Sequence, residues 1–574
     1  MTNLTALSWG QIAAYSLLLL ALTPLLGGYM ARVYEGETVF LARWFGFIER
    51  AFYRLLRTSP EDEQDWKQYA RSVIWFSVLF LVPLYVLMRV QGHLPLNPDK
   101  LANVTPGVAA NTAASFVTNT NWQYYGGEYT MSYLSQMAGL AVQNFISAAV
   151  GMAVLAAMIR GFARRQTSSL GNFWADLYRT VAYILLPICL VVTVVLIWQG
   201  VPQTFSGHAV AHTVQGGTQS IARGPAASQI AVKQLGTNGG GYYNSNSGVP
   251  FENPTGMTNL LEDLLILLIG SAEVYMFGKM VRATRQGWAI LAVMFLLMLV
   301  GVGIAGPAEQ HGSPVLHDAH VNLAATGSQS GGNMEGKEVR FGIADSALWA
   351  GTTTDASNGS VNAGHDSFTA LGGAVPLTNI FIGEVIFGGV GSGLYGMLML
   401  VIITVFVGGL MVGRTPEYLG KKIESREIKL AVIGSIWVPV VVLILTAIAM
   451  TTHAGKESIF NAGPHGFTEA FYAYTSQTNN NGSAFAGYGA TNFSTMLGVV
   501  ALLLGRFIPL IVALAIGGSV AAKKITPPSL GTMRTDGPTF VVLLTSVVIL
   551  LPALTILPAL VLGPVVEALT TRLF

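Results

Sequence analysis

The chain has 574 residues, of which 52% are hydrophobic and only 10% charged, whereas a soluble domain carries about 25% charged residues. This excludes an ordinary soluble protein, a disordered chain and a collagen-like repeat. The formal charge of +2 gives no footprint for nucleic acid, and the single Cys189 leaves neither a disulfide nor a multi-cysteine metal site.

Apolar stretches of about 20 residues fall at 10–30, 70–90, 130–158, 173–198, 257–278, 284–306, 393–412, 428–450, 494–520 and 538–564, each near the length that crosses a bilayer. The expected fold is an all-α integral membrane protein with ten transmembrane helices. The first stretch lacks the basic start and small-residue cleavage site of a signal peptide, so it is expected to remain. Lys and Arg are concentrated in the odd-numbered loops, for example Arg43, Arg50, Arg54 and Arg57, then Arg164 and Arg165, then Lys421, Lys422 and Arg426. Basic loops stay on the cytoplasmic side, so both termini are expected outside. The nine histidines then lie on the outer side, and His311, His317 and His320 offer a candidate metal cluster. Their surroundings, 308–364, are rich in Gly, Ser, Asn and Ala, which reads instead as a solvated external loop.

Four outer loops share a pattern: a proline, a short apolar piece, then a polar or glycine-rich hexad before the next span. The pieces are Pro106–Val117 before Thr118–Gln123, Pro225–Gly236 before Thr237–Tyr242, and Pro376–Phe387 before Gly388–Gly393. The fourth starts at Pro464 and ends at Thr478–Ser483. The hexad begins 12 residues after the proline in the first three and 14 after it in the fourth. Proline suits a helix start, so each piece is expected to be a half-helix dipping into the membrane and returning as irregular chain. Such backbone is tolerated at that depth only inside protein or along a water-filled path. Four hexads around one axis would turn backbone carbonyls inward, where they replace the hydration shell of a cation, with the partly negative helix C-termini pointing at it.

At these hexads the chain resembles the potassium-binding A subunit family of the bacterial Kdp-type potassium-transporting ATPases, and through it the potassium channel superfamily. The resemblance spans the chain and is carried by Thr118–Gln123, Gly236–Gly241 with Tyr242–Asn246 and Phe251–Thr255, Gly383–Gly396, Arg414–Ile423 and Asn479–Gly487. It implies four fused units around one pore, at 70–158, 173–278, 284–412 (with the long external loop) and 428–521. A first span with its basic loop (1–69) and a last span (537–574) flank them. It implies potassium as the transported ion, held near Thr118, Asn119, Gln123, Thr237, Asn238, Gly239, Gly388, Gly389, Asn480, Asn481 and Gly482. It further implies a P-type ATPase catalytic subunit and two smaller membrane subunits as partners, in a bacterial cytoplasmic membrane.

Arg506 falls mid-span, where a guanidinium costs at least ~2.5 kcal/mol. It reads either as a pore charge or as the partner of a carboxylate or of half-helix carbonyls, with Glu384 as the candidate carboxylate. Glu273, near Lys279 and Arg282, reads as an interfacial ion pair. Gly408, Gly409 and Gly413 before Arg414 read either as a gating break or as close helix packing. The sequence has no phosphate-loop motif, and its longest inner loop, 31–69, is too short for a nucleotide domain. The chain by itself is therefore not expected to be an enzyme. A stand-alone transporter and a non-conducting scaffold subunit are the other readings.

Overall fold

In hydrocarbon every backbone amide needs an internal partner, a condition that a helix meets on its own. The computed structural model of this chain, which describes residues 5–326, 330–527 and 532–570, is accordingly mainly helical. Helix α1 (Ala6–Tyr34) is followed by α2 (Ala42–Leu56). Next come α3 (Trp66–Val90), the short α4 (Pro106–Val117) and α5 (Ser135–Ala163), which opens with a π-helical turn. Then follow α6 (Phe173–Trp198), the short α7 (Ala226–Leu235) and α8 (Gly256–Met280). A third group holds α9 (Thr284–His311), α10 (Gly342–Asp355), α11 (Ala370–Phe381) and α12 (Ser392–Met411). A fourth holds α13 (Ser425–Thr451), α14 (Gly463–Asn479) and α15 (Asn492–Ala521), and α16 (Pro538–Ala568) closes the chain. Two small antiparallel hairpins sit in loops, Ala209–His212 with Thr218–Ile221 and Glu417–Tyr418 with Lys421–Lys422.

Among the described residues, nine helices are long and apolar enough to cross a membrane. Helix α8, expected as a span at 257–278, has 25 residues but carries Glu262, Asp263 and Glu273, all buried. Capping boxes at Asp65, Thr255 and Thr491 start α3, α8 and α15 by giving the orphan first-turn amides an acceptor. Helix α1 lies close along α8, where Gly27 faces the Ala272 carbonyl and the Tyr275 ring so tightly that a Cβ would collide with both.

Two buried cations tie the basic ends of the helices together. Arg160 of α5 meets Asp176 of α6 through both guanidinium nitrogens at 2.6 Å and donates to the carbonyls of Tyr34 (3.0 Å) and Leu170 (3.2 Å). Tyr69 of α3 donates to the same carboxylate at 2.9 Å, so one ion pair gathers α1, α3, α5 and α6. Lys421 donates to the carbonyls of Gly161 (2.7 Å), Val520 (2.9 Å) and Arg164, where the C-terminal carbonyls of α5 and α15 lack helical partners.

Three expectations need correction. Residues 308–364 are not a solvated loop: His311, His317 and His320 are exposed, but the stretch also holds α10, and every residue from Ser346 to Ser360 is buried. Its small polar side chains pack inside protein rather than face water. The expected half-helix Pro376–Phe387 is instead α11, with Pro376 inside it. Of the two readings of Gly408 and Gly409, the break fails and close packing stands, because α12 runs on to Met411 and Gly408 packs against Leu543 of α16; Gly413, at φ +71, lies just past its end, before Arg414. The break lies earlier, at 382–391 between α11 and α12.

On the opposite side from Arg160, His465 at the start of α14 joins Asp366 (3.2 Å) and Glu567 of α16 (2.9 Å). Burial alone would lower its pKa, but the hydrogen bonds to Asp366 and Glu567 outweigh that and raise it to about 10. A raised histidine pKa stabilises fully below the unfolded value of about 6.5 and loses that contribution as pH climbs to the folded value. The difference in thermal unfolding midpoint between the native chain and His465→Gln should therefore shrink between about pH 6.5 and pH 10. A difference independent of pH would show that His465 is not held as a cation.

Candidate cation site where the short helices end

The short helices α4, α7, α10 and α14 end at segments that return as irregular chain: 118–123, 236–242, 356–360 and 480–485. In the first, third and fourth, positive φ recurs two residues apart, at Asn119 and Asn121, Ser357 and Gly359, and Asn480 and Gly482; in the second it falls at Thr237 and Gly240. Alternation between left- and right-handed backbone turns successive carbonyls toward a common side. The first segment has no glycine, and Asn121 takes the left-handed position there because a short polar side chain tolerates it.

The four segments meet. A Cβ built on Gly239 would lie within 3.0 Å of three carbonyl oxygens, those of Thr120, Asn358 and Asn481, one from each of the other segments. Gly482 stands against the Thr120 carbonyl and Gly359 against that of Asn481. These glycines are required by close approach, since any side chain would drive the ring apart.

Asparagine amides stitch the ring. Asn119 donates to the carbonyls of Thr237 (3.0 Å) and Gly236 (3.2 Å), joining first to second segment. Asn358 donates to Lys233 O (3.3 Å), joining third to second, and Asn481 to Thr353 O (3.0 Å), joining fourth to third. Asn480 closes the circle onto the Thr120 hydroxyl (3.0 Å). Asn358 and Asn481 act alike: the Oδ1 of each accepts the backbone amide of the serine two residues on at 2.9 Å and its hydroxyl at 2.5 Å. Asn238 donates to Asn119 Oδ1 (2.6 Å), and Gln123 receives the Gly241 amide (2.9 Å) while donating to the Gly241 carbonyl (3.2 Å). The Thr118 and Thr120 hydroxyls are 2.8 Å apart. The arrangement offers backbone oxygens, rigidly held and without a fixed charge, which suits a dehydrated monovalent cation.

The segment after α11 packs against this ring rather than joining it. Gly388 donates to Asp355 O (2.6 Å), Gly389 sits against Ser357, and Val390 donates to the Thr237 hydroxyl (2.9 Å). Gly388 and Gly389, expected as the third filter segment, are thus replaced there by Asn358 and Gly359. Glu273 is also not an interfacial pair: it is fully buried and receives the Gly391 amide at 2.8 and 2.9 Å. Arg506 is buried and donates to Ser147 O at 3.4 Å. No carboxylate among the described residues lies within ion-pair distance of it, so Glu384 makes no direct ion pair with it, although the two charges are near enough to interact. Both instead line one cavity of about 270 Å³ that begins beside Asn480 and extends between α13 and α16 to Ile436 and the exposed Leu554.

Residues 13–569 match the family described as "KdpA: Potassium-transporting ATPase A subunit". The chain belongs to that family. Among A-subunit relatives, a potassium-transporting ATPase potassium-binding subunit of Sorangium cellulosum is 55% identical over 570 residues, covering 97% of this chain and 98% of its own. One from Herpetosiphon aurantiacus is also 55% identical, covering 98% and 99%. In fold, the chain is similar to the potassium transporter TrkH of Vibrio parahaemolyticus, with a TM-score of 0.50 at 15% identity over 87% of this chain and 96% of that one.

Within this A-subunit fold, the signal for the third segment was present in the sequence: Asn358-Gly359-Ser360 repeats Asn481-Gly482-Ser483. Replacing Asn358 with alanine removes the link to Lys233 and leaves the Ser360 amide without its acceptor, although the Ser360 hydroxyl keeps Gln234. Asn358→Ala should cost about 1–3 kcal/mol and lower the thermal midpoint of the purified chain. An unchanged midpoint would mean that the 356–360 segment does not hold the ring.

Proposed function

We propose that this chain binds potassium ions and passes them across the bacterial cytoplasmic membrane as the channel-like subunit of an ATP-driven import complex. The observation that supports this most directly is the convergence of the Thr120, Asn358 and Asn481 carbonyls on Gly239. The ion-binding residues are Thr118, Asn119, Gln123, Thr237, Asn238, Gly239, Asn480, Asn481 and Gly482, with Asn358 and Gly359 in the third segment. Potassium is the cargo, and the chain itself hydrolyses nothing. An ATPase subunit supplies the energy, in keeping with the names of the relatives; we take it to be of the P type, with two smaller membrane subunits completing the complex. We read the helices as ten spans, counting α8, with four units around one pore, one further span at each end and both termini outside.

Beyond the ring, the route follows the cavity lined by Glu384 and Arg506. The fixed positive charge of Arg506 opposes a second cation there, which limits passive leak through an actively driven importer. Because the cavity reaches the lateral face at Leu554 and Ile436 rather than the inner ends of the helices, we favour sideways transfer to the ATPase subunit over straight passage.

Gly239→Asp is the decisive variant, tested by potassium-stimulated ATP hydrolysis of the purified intact complex. Its apparent potassium affinity should fall at least tenfold, with weaker discrimination against sodium and rubidium, while the complex still assembles. An unaltered potassium response would remove the ring from the ion path, and failure to isolate an ATPase with the chain would favour a stand-alone transporter.

A further inference from the structure

Helix α2 has three unlike faces. Toward the protein it presents Phe45, Gly46, Glu49, Phe52 and Tyr53, and this face is fixed. Glu49 meets Arg179 of α6 at 3.3 Å and accepts the hydroxyls of Tyr53 (2.6 Å) and Tyr183 (2.5 Å), while Tyr178 donates to Phe45 O at 2.9 Å. On the far side, Trp44, Phe47, Ile48 and Leu55 recur at helical spacing and are exposed, Trp44 at 64% and Leu55 at 80%. Between the two faces run Arg43, Arg50, Arg54 and Arg57, at spacings of seven, four and three residues, all exposed. Among the described residues none of these four arginines has a carboxylate within ion-pair distance. The helix begins shortly after α1 ends at Tyr34 and stops before α3 begins at Trp66, which sets it at the level where crossing helices leave the hydrocarbon.

We propose that α2 is an anionic phospholipid site: its apolar stripe lies among the acyl chains while the arginine row binds the headgroup phosphates. An apolar face bordered by unpaired arginines fits the boundary between acyl chains and charged headgroups, where basic residues are attracted to anionic lipid. Guanidinium groups match phosphate oxygens in paired geometry, so the row selects phosphate rather than diffuse negative charge. A protein partner fits less well. The lateral cavity opens between α13 and α16, whereas α2 docks on α6 through Tyr178, Arg179 and Tyr183. The docked face ties the helix to α6, the helix that also carries Asp176, the partner of Arg160.

The test uses the intact complex in nanodiscs of phosphatidylcholine with 0 or 30% phosphatidylglycerol, comparing the native chain with the Arg43→Gln, Arg50→Gln, Arg54→Gln, Arg57→Gln variant. Native mass spectrometry of each complex should find phosphatidylglycerol retained several-fold above phosphatidylcholine by the native chain and no preference in the variant. Equal retention by both would overturn the proposal. A second readout needs only one conservative change: the fluorescence lost in Trp44→Phe reports Trp44, and brominated phosphatidylglycerol should quench it at least twofold more than brominated phosphatidylcholine. Equal quenching by the two lipids, shielding of Trp44 by another subunit, or loss of the preference on adding 50 mM inorganic phosphate without salt dependence would each count against a lipid site.

Discussion

Everything at the centre of this molecule depends on four short helices ending at the same buried place, where their last peptide groups need partners. A buried amide without a partner is expensive, and here the cost is avoided by asparagine carboxamides that reach from one segment into the next. Each such group is both donor and acceptor, so it can fix its own turn and its neighbour's end together. Asn358 and Asn481 do this in matched fashion, and Asn119 and Asn480 complete the circuit. Carbonyls not consumed in this stitching are left facing one another, which gives a site built from backbone rather than from charge.

The surrounding helices serve that centre. Arg160 and Asp176 draw four of them together at the basic end, and Lys421 covers the carbonyls at which α5 and α15 stop. Removing one partner of such a buried pair leaves an uncompensated charge, at a cost of about 3–5 kcal/mol. At the other end His465 holds α16 against α14. Helix α8 is less apolar than its neighbours because its acids are occupied inside the protein; Glu273, for one, receives the amide of Gly391.

The long apolar helices were legible in the sequence because lipid imposes length and hydropathy on whatever faces it. Helix α4 was legible to the residue, its proline standing where a helix starts. The third segment was hard to place for a physical reason: Gly342–Asp355 mixes Ile343, Leu348 and Trp349 with glycine, serine, threonine and aspartate, so it makes no long apolar run, and its Gly-, Ser- and Asn-rich flanks look the same whether they face water or are packed inside protein. The proline rule then settled on Pro376, which lies within α11 and starts nothing. Glu273, Glu384 and Arg506 could be recognised as unusual from depth alone, but their partners depend on contacts between helices far apart in the chain. The glycines at 408 and 409 suggested weakness, whereas the interruption lies where Gly383, Gly388 and Gly391 take positive φ.

The absence of glycine from the first segment has a wider meaning. In a ring assembled from four identical chains, one substitution changes every quarter at once, so most changes are catastrophic or neutral. Here all four quarters are encoded in a single chain, and Asn121 stands where Gly359 and Gly482 stand in theirs. Each position around the ring can drift alone, so on the proposed function selection could adjust the grip on the ion in steps of one quarter.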